Sequence, residues 1–382
     1  MIKVADRLSH VEEYYFSKKL REVNGLITNG KPVINLGIGS PDLQPPQKAE
    51  DALVKALLNP NAHKYQSYQG LLEFRESIAA FYRTHYDIYL DPYTNILPLM
   101  GSKEGIMHIS MAFLNKGDEV LIPNPGYPTY QAVTKLLEAK PIFYDLDAKN
   151  NWLPDLEALE QLDLRNVKIM WVNYPHMPTG ATPNKDIFIK LVDLAKRKRI
   201  LIVNDNPYSF ILNENPVSIL NAYGARDVCL ELNSLSKTFN MAGWRTGMVV
   251  GNEAAIDHVL KVKSNMDSGM FYGIQKGAIE ALKCSNMWFE TLNSVYRERR
   301  YLVWKLADAL KCTYDKTATG LFVWAKLPGL TKAEAFIDNL LNEKYIFITP
   351  GTVFGSNGEG YIRFSLCAQT EDLQEAIRRV GD

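Results

Sequence analysis

The stretch Ser234-Leu-Ser236-Lys237-Thr-Phe-Asn-Met-Ala-Gly-Trp-Arg245-Thr-Gly247 holds the most pointed chemistry in this chain. A lysine between small hydroxyl side chains at a strand end can approach an aldehyde and form an imine. Arg245, eight residues on, can clamp a phosphate through its two-pronged guanidinium. In Ile200-Leu-Ile-Val-Asn-Asp205-Asn-Pro-Tyr208 a carboxylate directly follows an apolar run. A buried carboxylate is costly alone, so Asp205 asks for a cationic partner; a helix N-cap is the plainer reading. Gly101-Ser102-Lys103 joins an apolar run to a helical pattern. Backbone N–H groups at such a junction, helped by the helix dipole and the Ser102 hydroxyl, form an anion site, or simply a tight turn. Tyr361-Ile-Arg363-Phe-Ser-Leu alternates, with Ile362, Phe364 and Leu366 on one side and Arg363 on the other. An arginine on the buried side of a strand calls for an anion.

The elements that must position these residues follow from periodicity. Asn95–Met100, Glu119–Pro123, Val167–Val172, Ile200–Val203 and Val228–Leu232 read as buried strands. Between them, Lys103–Leu114 and Lys185–Ala195 carry apolar residues at helical spacing. Strand–helix alternation with apolar strands predicts an α/β fold with a mostly parallel sheet covered by helices. Ligands in such sheets sit beyond the carboxyl ends of the strands, where Lys237, Asp205 and Gly101 fall. A long helix is predicted from Ser285 to about Leu310. Strands at Leu321–Leu327, Phe347–Thr349 and Tyr361–Leu366, with helices near Lys332–Asn342 and Glu371–Arg379, then predict a smaller α+β domain.

Bulk properties limit the partners. The chain has 382 residues, enough for two domains, and its 43 basic residues balance 43 acidic ones. No field of one sign recommends nucleic acid or an anionic membrane. No apolar run approaches a bilayer span, and the N-terminus lacks the apolar core of a signal peptide. Cys229, Cys284, Cys312 and Cys367 show no C-x-x-C spacing, so idle thiols in a cytoplasmic protein are expected. Gly25-Leu-Ile-Thr-Asn-Gly30-Lys31 is no phosphate loop: Pro32 follows the lysine and no strand precedes it. G-x-S-x-G, zinc-type and dinucleotide motifs are missing from the sequence.

The Lys237 segment, with Gly243, Trp244, Arg245 and Gly247 at their spacings, resembles the lysine signature of fold-type-I pyridoxal-phosphate aminotransferases, the aspartate aminotransferase superfamily. The resemblance runs from about Val33 to Leu366 and implies a large cofactor-binding domain over 46–275. A smaller domain is then built from 1–45 and 276–382. It implies pyridoxal 5'-phosphate on Lys237, its phosphate held by Gly101, Ser102, Lys103, Ser234, Ser236 and Arg245. Asp205 then meets the ring nitrogen, whose charge makes the ring an electron sink. Tyr208 donates to the ring oxygen and Tyr127, from Asn124-Pro-Gly-Tyr127, stacks on the ring. Tyr65, five residues before Gly70, matches a tyrosine that reaches the phosphate of a neighbouring subunit, which implies a homodimer with shared sites. Arg363 matches the grip on the substrate α-carboxylate, and Asn35-Leu-Gly-Ile-Gly39 the loop that offers its backbone N–H there.

The reaction implied is transamination between an L-amino acid and a 2-oxo acid, with Lys237 moving the proton from Cα. Gly101-Ser-Lys-Glu-Gly-Ile106 and Ser264-Asn-Met-Asp-Ser-Gly269 look most like the branch holding LL-diaminopimelate aminotransferases and bacterial relatives of aspartate type. A glutamate/2-oxoglutarate-linked reaction, with an aspartate-like or LL-diaminopimelate-like substrate, is the expectation. Lys263 is either a second basic group for a substrate carboxylate or a solvated helix lysine. One departure stands out: Asn173-Tyr-Pro-His176-Met177-Pro178-Thr179-Gly180 places Met177 where the family has an asparagine touching ring oxygen and substrate carboxylate. A thioether donates no hydrogen bond, so Tyr208 is left as main donor to the ring oxygen, and carboxylate binding is expected to weaken or the imine pKa to shift. β-Elimination or decarboxylation on the same cofactor, and a non-catalytic ligand-sensing domain, remain alternatives, since fold alone does not choose.

Overall fold

Residues 2–381 are described by a computed structural model. After a two-residue strand, β1 (Ile34–Asn35), the apolar runs build one seven-stranded sheet. Its strands are β2 (Ile96–Leu99), β3 (Glu119–Asn124), β4 (Lys140–Asp145), β5 (Val167–Val172), β6 (Leu201–Asp205), β7 (Cys229–Ser234) and β8 (Gly247–Gly251). The order is β2-β8-β7-β6-β5-β3-β4, parallel between β4 and β7, with β8 antiparallel to both neighbours. Every residue of β7 and β8 is buried, as strands covered on both faces require. On one face Ile106, Ile109, Val133 and Val259 of the covering helices pack with Leu232 and Val249. On the other, Phe74, Ile78, Leu191 and Ile279 form a separate cluster.

Two strands of this sheet escape the periodicity. β4 is the sheet edge, Lys140-Pro-Ile-Phe-Tyr-Asp145, and its mixed burial gives neither a continuous apolar run nor a clean alternation. β8 is short and bounded by Gly247 and Gly251, directly behind the lysine segment. Its reversed course fixes the site. Leu99 at the end of β2 and Ser234 at the end of β7 both pair with Gly247, so the Gly101 turn and the Lys237 segment emerge side by side. A Cβ on Gly247 would lie 2.8 Å from the Asn233 carbonyl and 3.0 Å from the Ser102 nitrogen, so only glycine permits this approach.

The C-terminal third folds around a second core. β9 (Thr313–Tyr314), β10 (Phe322–Lys326), β12 (Thr349–Pro350) and β13 (Tyr361–Ser365) form an antiparallel sheet ordered β12-β13-β10-β9. The intervening β11 (Ile346–Phe347) pairs in parallel with β1. Helices Asn286–Ala309, Ala333–Lys344 and Thr370–Gly381 cover it through Leu302, Leu306, Ile337 and Leu373, close to the predicted spans. Ile34 and Leu36 join this core, which draws the N-terminal segment to the C-terminal sheet. Among the described residues no helix is long and apolar enough to cross a membrane.

Candidate active site

At the carboxyl ends of β2, β6 and β7 a cavity of about 300 Å³ brings together Gly39, Ser102, Lys103, Tyr127, Asp205, Tyr208, Ser234, Ser236, Lys237, Arg245 and Arg363. Ser234 ends β7 and accepts the Ser236 N–H (3.1 Å), capping the one-turn helix Leu235–Thr238 that carries Lys237. The Lys237 amine donates to the Gly39 carbonyl at 2.6 Å. Burial, and after it the charges of Arg363 and Arg245, lower its pKa, and no carboxylate pairs with it among the described residues. A neutral amine is the nucleophilic form.

Asp205 ends β6 and is buried. The Tyr130 hydroxyl donates to its Oδ2 at 2.9 Å, and Tyr130 is itself held flat against Trp171, ring centroids 4.9 Å apart. Asp205 Oδ1 has no partner, and burial raises this carboxyl to about 7. An orphaned buried carboxylate oxygen facing a cavity asks for a cation. Asn173 at the end of β5 donates to the Asp205 carbonyl and accepts the Met177 N–H (2.9 Å), which fixes the Asn173–Gly180 loop against β6.

The anion turn is built as its residues require. Gly101 has φ +90° and precedes helix Ser102–Phe113, and a Cβ there would collide with Arg245 Nη2. The Arg245 guanidinium therefore lies across the turn, while its Nη1 donates to the Ala242 carbonyl (2.8 Å). The Lys103 amine sits 4.4 Å from the Tyr14 ring centre, and burial with Arg245 beside it lowers its pKa. Two cations, a helix N-terminus and a hydroxyl thus share one end of the cavity.

Arg363 on β13 is the second cationic pole. Its Nη2 donates to the Gly37 carbonyl (2.8 Å), its Nη1 lies 3.3 Å from Met177 Sδ, and its Nε is buried without a partner. The guanidinium stacks 3.9 Å from the Phe322 ring centre and 4.7 Å from that of Phe354. No carboxylate meets it among the described residues, and burial lowers its pKa to about 10. The loop below is pinned by Asn35 Oδ1, which accepts the Gly37 and Ile38 N–H groups (3.1 and 3.3 Å), and by the Asp42–Arg299 pair (2.7 Å). At Gly39 it is the carbonyl, toward Lys237, that is engaged.

Two expectations fall elsewhere. Lys263 is neither at the cavity nor solvated: it is fully buried, and its amine bridges both Asp267 oxygens at 2.8 and 2.7 Å. Glu104 and His108 stand beside that pair, so Lys263 balances a partly buried acidic group. Tyr65 is 90% exposed and lines a shallow depression with Ser268 and Phe271, away from its own chain's cavity. Four residues go unnoticed in the sequence: Tyr130, Asn173, and Tyr14 and Phe16, which the N-terminal helix Tyr15–Thr28 brings to the cavity. Tyr130 lies three residues from Tyr127 in a segment already singled out; Tyr14 and Phe16 carry no local signal.

Residues 31–380 match the family described as aminotransferase class I and II. The chain belongs to that family. It is 42% identical over 383 residues to the LL-diaminopimelate aminotransferase of Aquifex aeolicus, covering 100% of this chain and 99% of that one. To the LL-diaminopimelate aminotransferase of Maridesulfovibrio salexigens it is 40% identical, covering 99% and 98%. Among solved structures, apo-BacF of Bacillus subtilis superposes with a TM-score of 0.96 at 34% identity, covering 100% of this chain and 98% of that one. This aminotransferase is a pyridoxal 5'-phosphate enzyme, and its cavity fits that group. The orphaned Asp205 Oδ1 suits a cationic ring nitrogen, and the Gly101 cradle under Arg245 suits a phosphate.

Proposed function

We propose that this aminotransferase moves the amino group of an L-α-amino acid to a 2-oxo acid, with 2-oxoglutarate and glutamate as one substrate pair. The observation that carries the reading is the placement of Lys237 between two unpaired poles, the orphaned Asp205 Oδ1 and the carboxylate-free Arg363, in one cavity. Bound pyridoxal 5'-phosphate supplies an aldehyde carbon and an electron-withdrawing ring. Ser102, Ser234, Ser236, Arg245 and the N–H groups after Gly101 hold its phosphate end. Asp205, steadied by Tyr130, would hold a protonated ring nitrogen, Tyr208 would donate to the ring oxygen, and Tyr127 would pack against the ring. Arg363 takes the substrate α-carboxylate, which orients the Cα–H bond toward Lys237. The Lys237 amine, its pKa lowered by burial and with no carboxylate partner among the described residues, takes the proton from Cα. Lys103, a cation without a carboxylate partner among the described residues, serves the second carboxylate of 2-oxoglutarate or the phosphate.

The same reading makes the protein a cytoplasmic homodimer with Tyr65 completing the neighbour's phosphate site. The exposed Tyr65 and the free state of all four cysteines support it. The division into a cofactor-binding part over 46–275 and a smaller part from 1–45 and 276–382 belongs to it as well. The test is a half-reaction: glutamate added to the purified, cofactor-loaded protein converts the bound cofactor to its amine form and releases 2-oxoglutarate. Release of ammonia or carbon dioxide in place of the oxo acid would replace transamination by elimination or decarboxylation.

A further inference from the structure

A fully buried lysine is costly unless its charge is answered, and at Lys263 the answer reaches the anion turn. Lys263 ends helix Glu253–Lys263, and its amine meets both oxygens of Asp267 at 2.8 and 2.7 Å. A second carboxylate belongs to the same group. One oxygen or nitrogen each from Glu104, His108 and Asp267 lies within 4.8 Å of the others, and His108 Nε2 is 3.0 Å from Glu104 Oε1. Two carboxylates this close repel each other unless a cation sits with them, and the Lys263 ammonium is that cation. The side chains of Lys263, His108 and Asp267 are at most 8% exposed within the single chain, so the grouping needs no second subunit.

Both carboxylates also hold backbone. Glu104 Oε2 accepts the Met100 N–H at 2.6 Å. Met100 directly precedes Gly101, and Glu104 lies in the first turn of helix Ser102–Phe113. Its side chain therefore reaches back across the anion turn and fixes the entry to it. Asp267 Oδ1 accepts the Gly269 N–H at 2.7 Å. Gly269 has φ +89°, and a Cβ there would lie 2.5 Å from the carbonyl oxygen of Gln66, the neighbour of Tyr65. One ionic cluster thus tethers the turn at the phosphate end of the cavity and backs the stretch that carries Tyr65.

We infer that Lys263 is a positioning residue of the phosphate site. Its ammonium holds the Asp267 and Glu104 carboxylates together, which keeps Glu104 on the Met100 N–H and the Gly101–Lys103 turn in its anion-binding shape. This rests on the reading of that turn as the seat of the phosphate. Without the ammonium, the two carboxylates repel, Glu104 leaves the Met100 N–H, and the turn loses its tether.

Titration of the cofactor-free full chain, read by absorbance, compares pyridoxal 5'-phosphate with pyridoxal, which has the same ring without the phosphate. In Lys263→Met the phosphate ester is expected to bind about tenfold or more weakly, the loss that goes with a charged hydrogen bond. Pyridoxal is expected to change less than about twofold, because it does not use the turn. Glu104→Ala keeps the Lys263–Asp267 pair and is expected to show the same phosphate-selective loss. Lys263→Met combined with Asp267→Asn removes one charge of each sign and leaves an acceptor for the Gly269 N–H. That double variant is expected to return the phosphate ester's affinity to within about threefold of wild type. A merely structural lysine gives equal losses for the two ligands and no rescue, and either result overturns the inference. Unchanged affinity in Glu104→Ala overturns it as well. Should Lys263→Met fail to fold, Glu104→Ala and the double variant decide by the same criteria. If the wild type binds the phosphate ester no more tightly than pyridoxal, the phosphate reading of the turn falls and this inference with it.

Discussion

Asp205 shows how one side chain's environment sets its function. Without a cation on Oδ1 its carboxyl is raised to about 7, because burial penalises the charge and Tyr130 only partly offsets that. The unfolded chain loses this proton near pH 3.8. Between those values the folded state holds a proton that the unfolded state has released, so the stability from this group is full below the lower value and is lost as pH rises through about 7. In cofactor-free protein, Asp205→Asn removes that loss. Its melting temperature should gain on the wild type as pH rises from 5 to 7, by roughly 2 kcal/mol of stability, and the gain should level off above that. A pH-independent difference would place the titration elsewhere. Asp205 and Arg363 were legible from the sequence because charged side chains just past or within apolar runs must be answered by something, and Lys237 and Arg245 because of their spacing and the small hydroxyl residues around the lysine. Lys263 was not, because a helix lysine is ordinarily solvated, whereas this one is fully buried and pairs with Asp267 four residues on.

Elements position these side chains through close backbone approach. The Gly101 turn, the one-turn helix of Lys237 and the start of β8 are stitched together by the pairing of Leu99 and Ser234 with Gly247. Gly101 is needed twice over, for its φ of +90° and for the space Arg245 occupies. Gly101→Ala is therefore expected to weaken pyridoxal 5'-phosphate affinity by about tenfold or more, since strain of 1–3 kcal/mol falls on the anion turn. Titration of the cofactor-free variant with the cofactor, read by absorbance, measures this, and unchanged affinity would remove the turn from the phosphate site. Most strands, and the helices Ser102–Phe113, Lys185–Lys198, Asn286–Ala309, Ala333–Lys344 and Thr370–Gly381, followed from apolar periodicity with ends shifted by a few residues, whereas helices such as Leu72–Tyr86 and Tyr272–Leu282 were not read from it. β4 and β8 did not, because an edge strand is only half buried and a five-residue strand between glycines leaves no period to detect.

At the scale of the whole molecule the site depends on distant parts of the chain. Tyr14 and Phe16 reach it from the N-terminal helix, and Arg363 from the last strand, because Ile34 and Leu36 are drawn into the C-terminal core. The alternation around Arg363 marks that residue, but no local spacing reveals the contacts of Tyr14 and Phe16. Tyr65 extends the same logic to a second copy. If it serves the neighbour's phosphate, a Tyr65→Ala chain mixed with a Lys237→Ala chain forms hybrid dimers holding one site with both residues intact. Random reassortment then restores about a quarter of the wild-type activity, although each variant alone is impaired. No recovery on mixing would confine each site to a single chain.

Lys237 is the residue proposed to carry the cofactor. Borohydride reduction of the loaded protein, followed by proteolysis and mass spectrometry, tests this directly. The pyridoxyl mass is predicted on the peptide that contains Lys237, and it should vanish in Lys237→Ala. The same mass on a peptide holding Lys103 or another lysine would contradict the account.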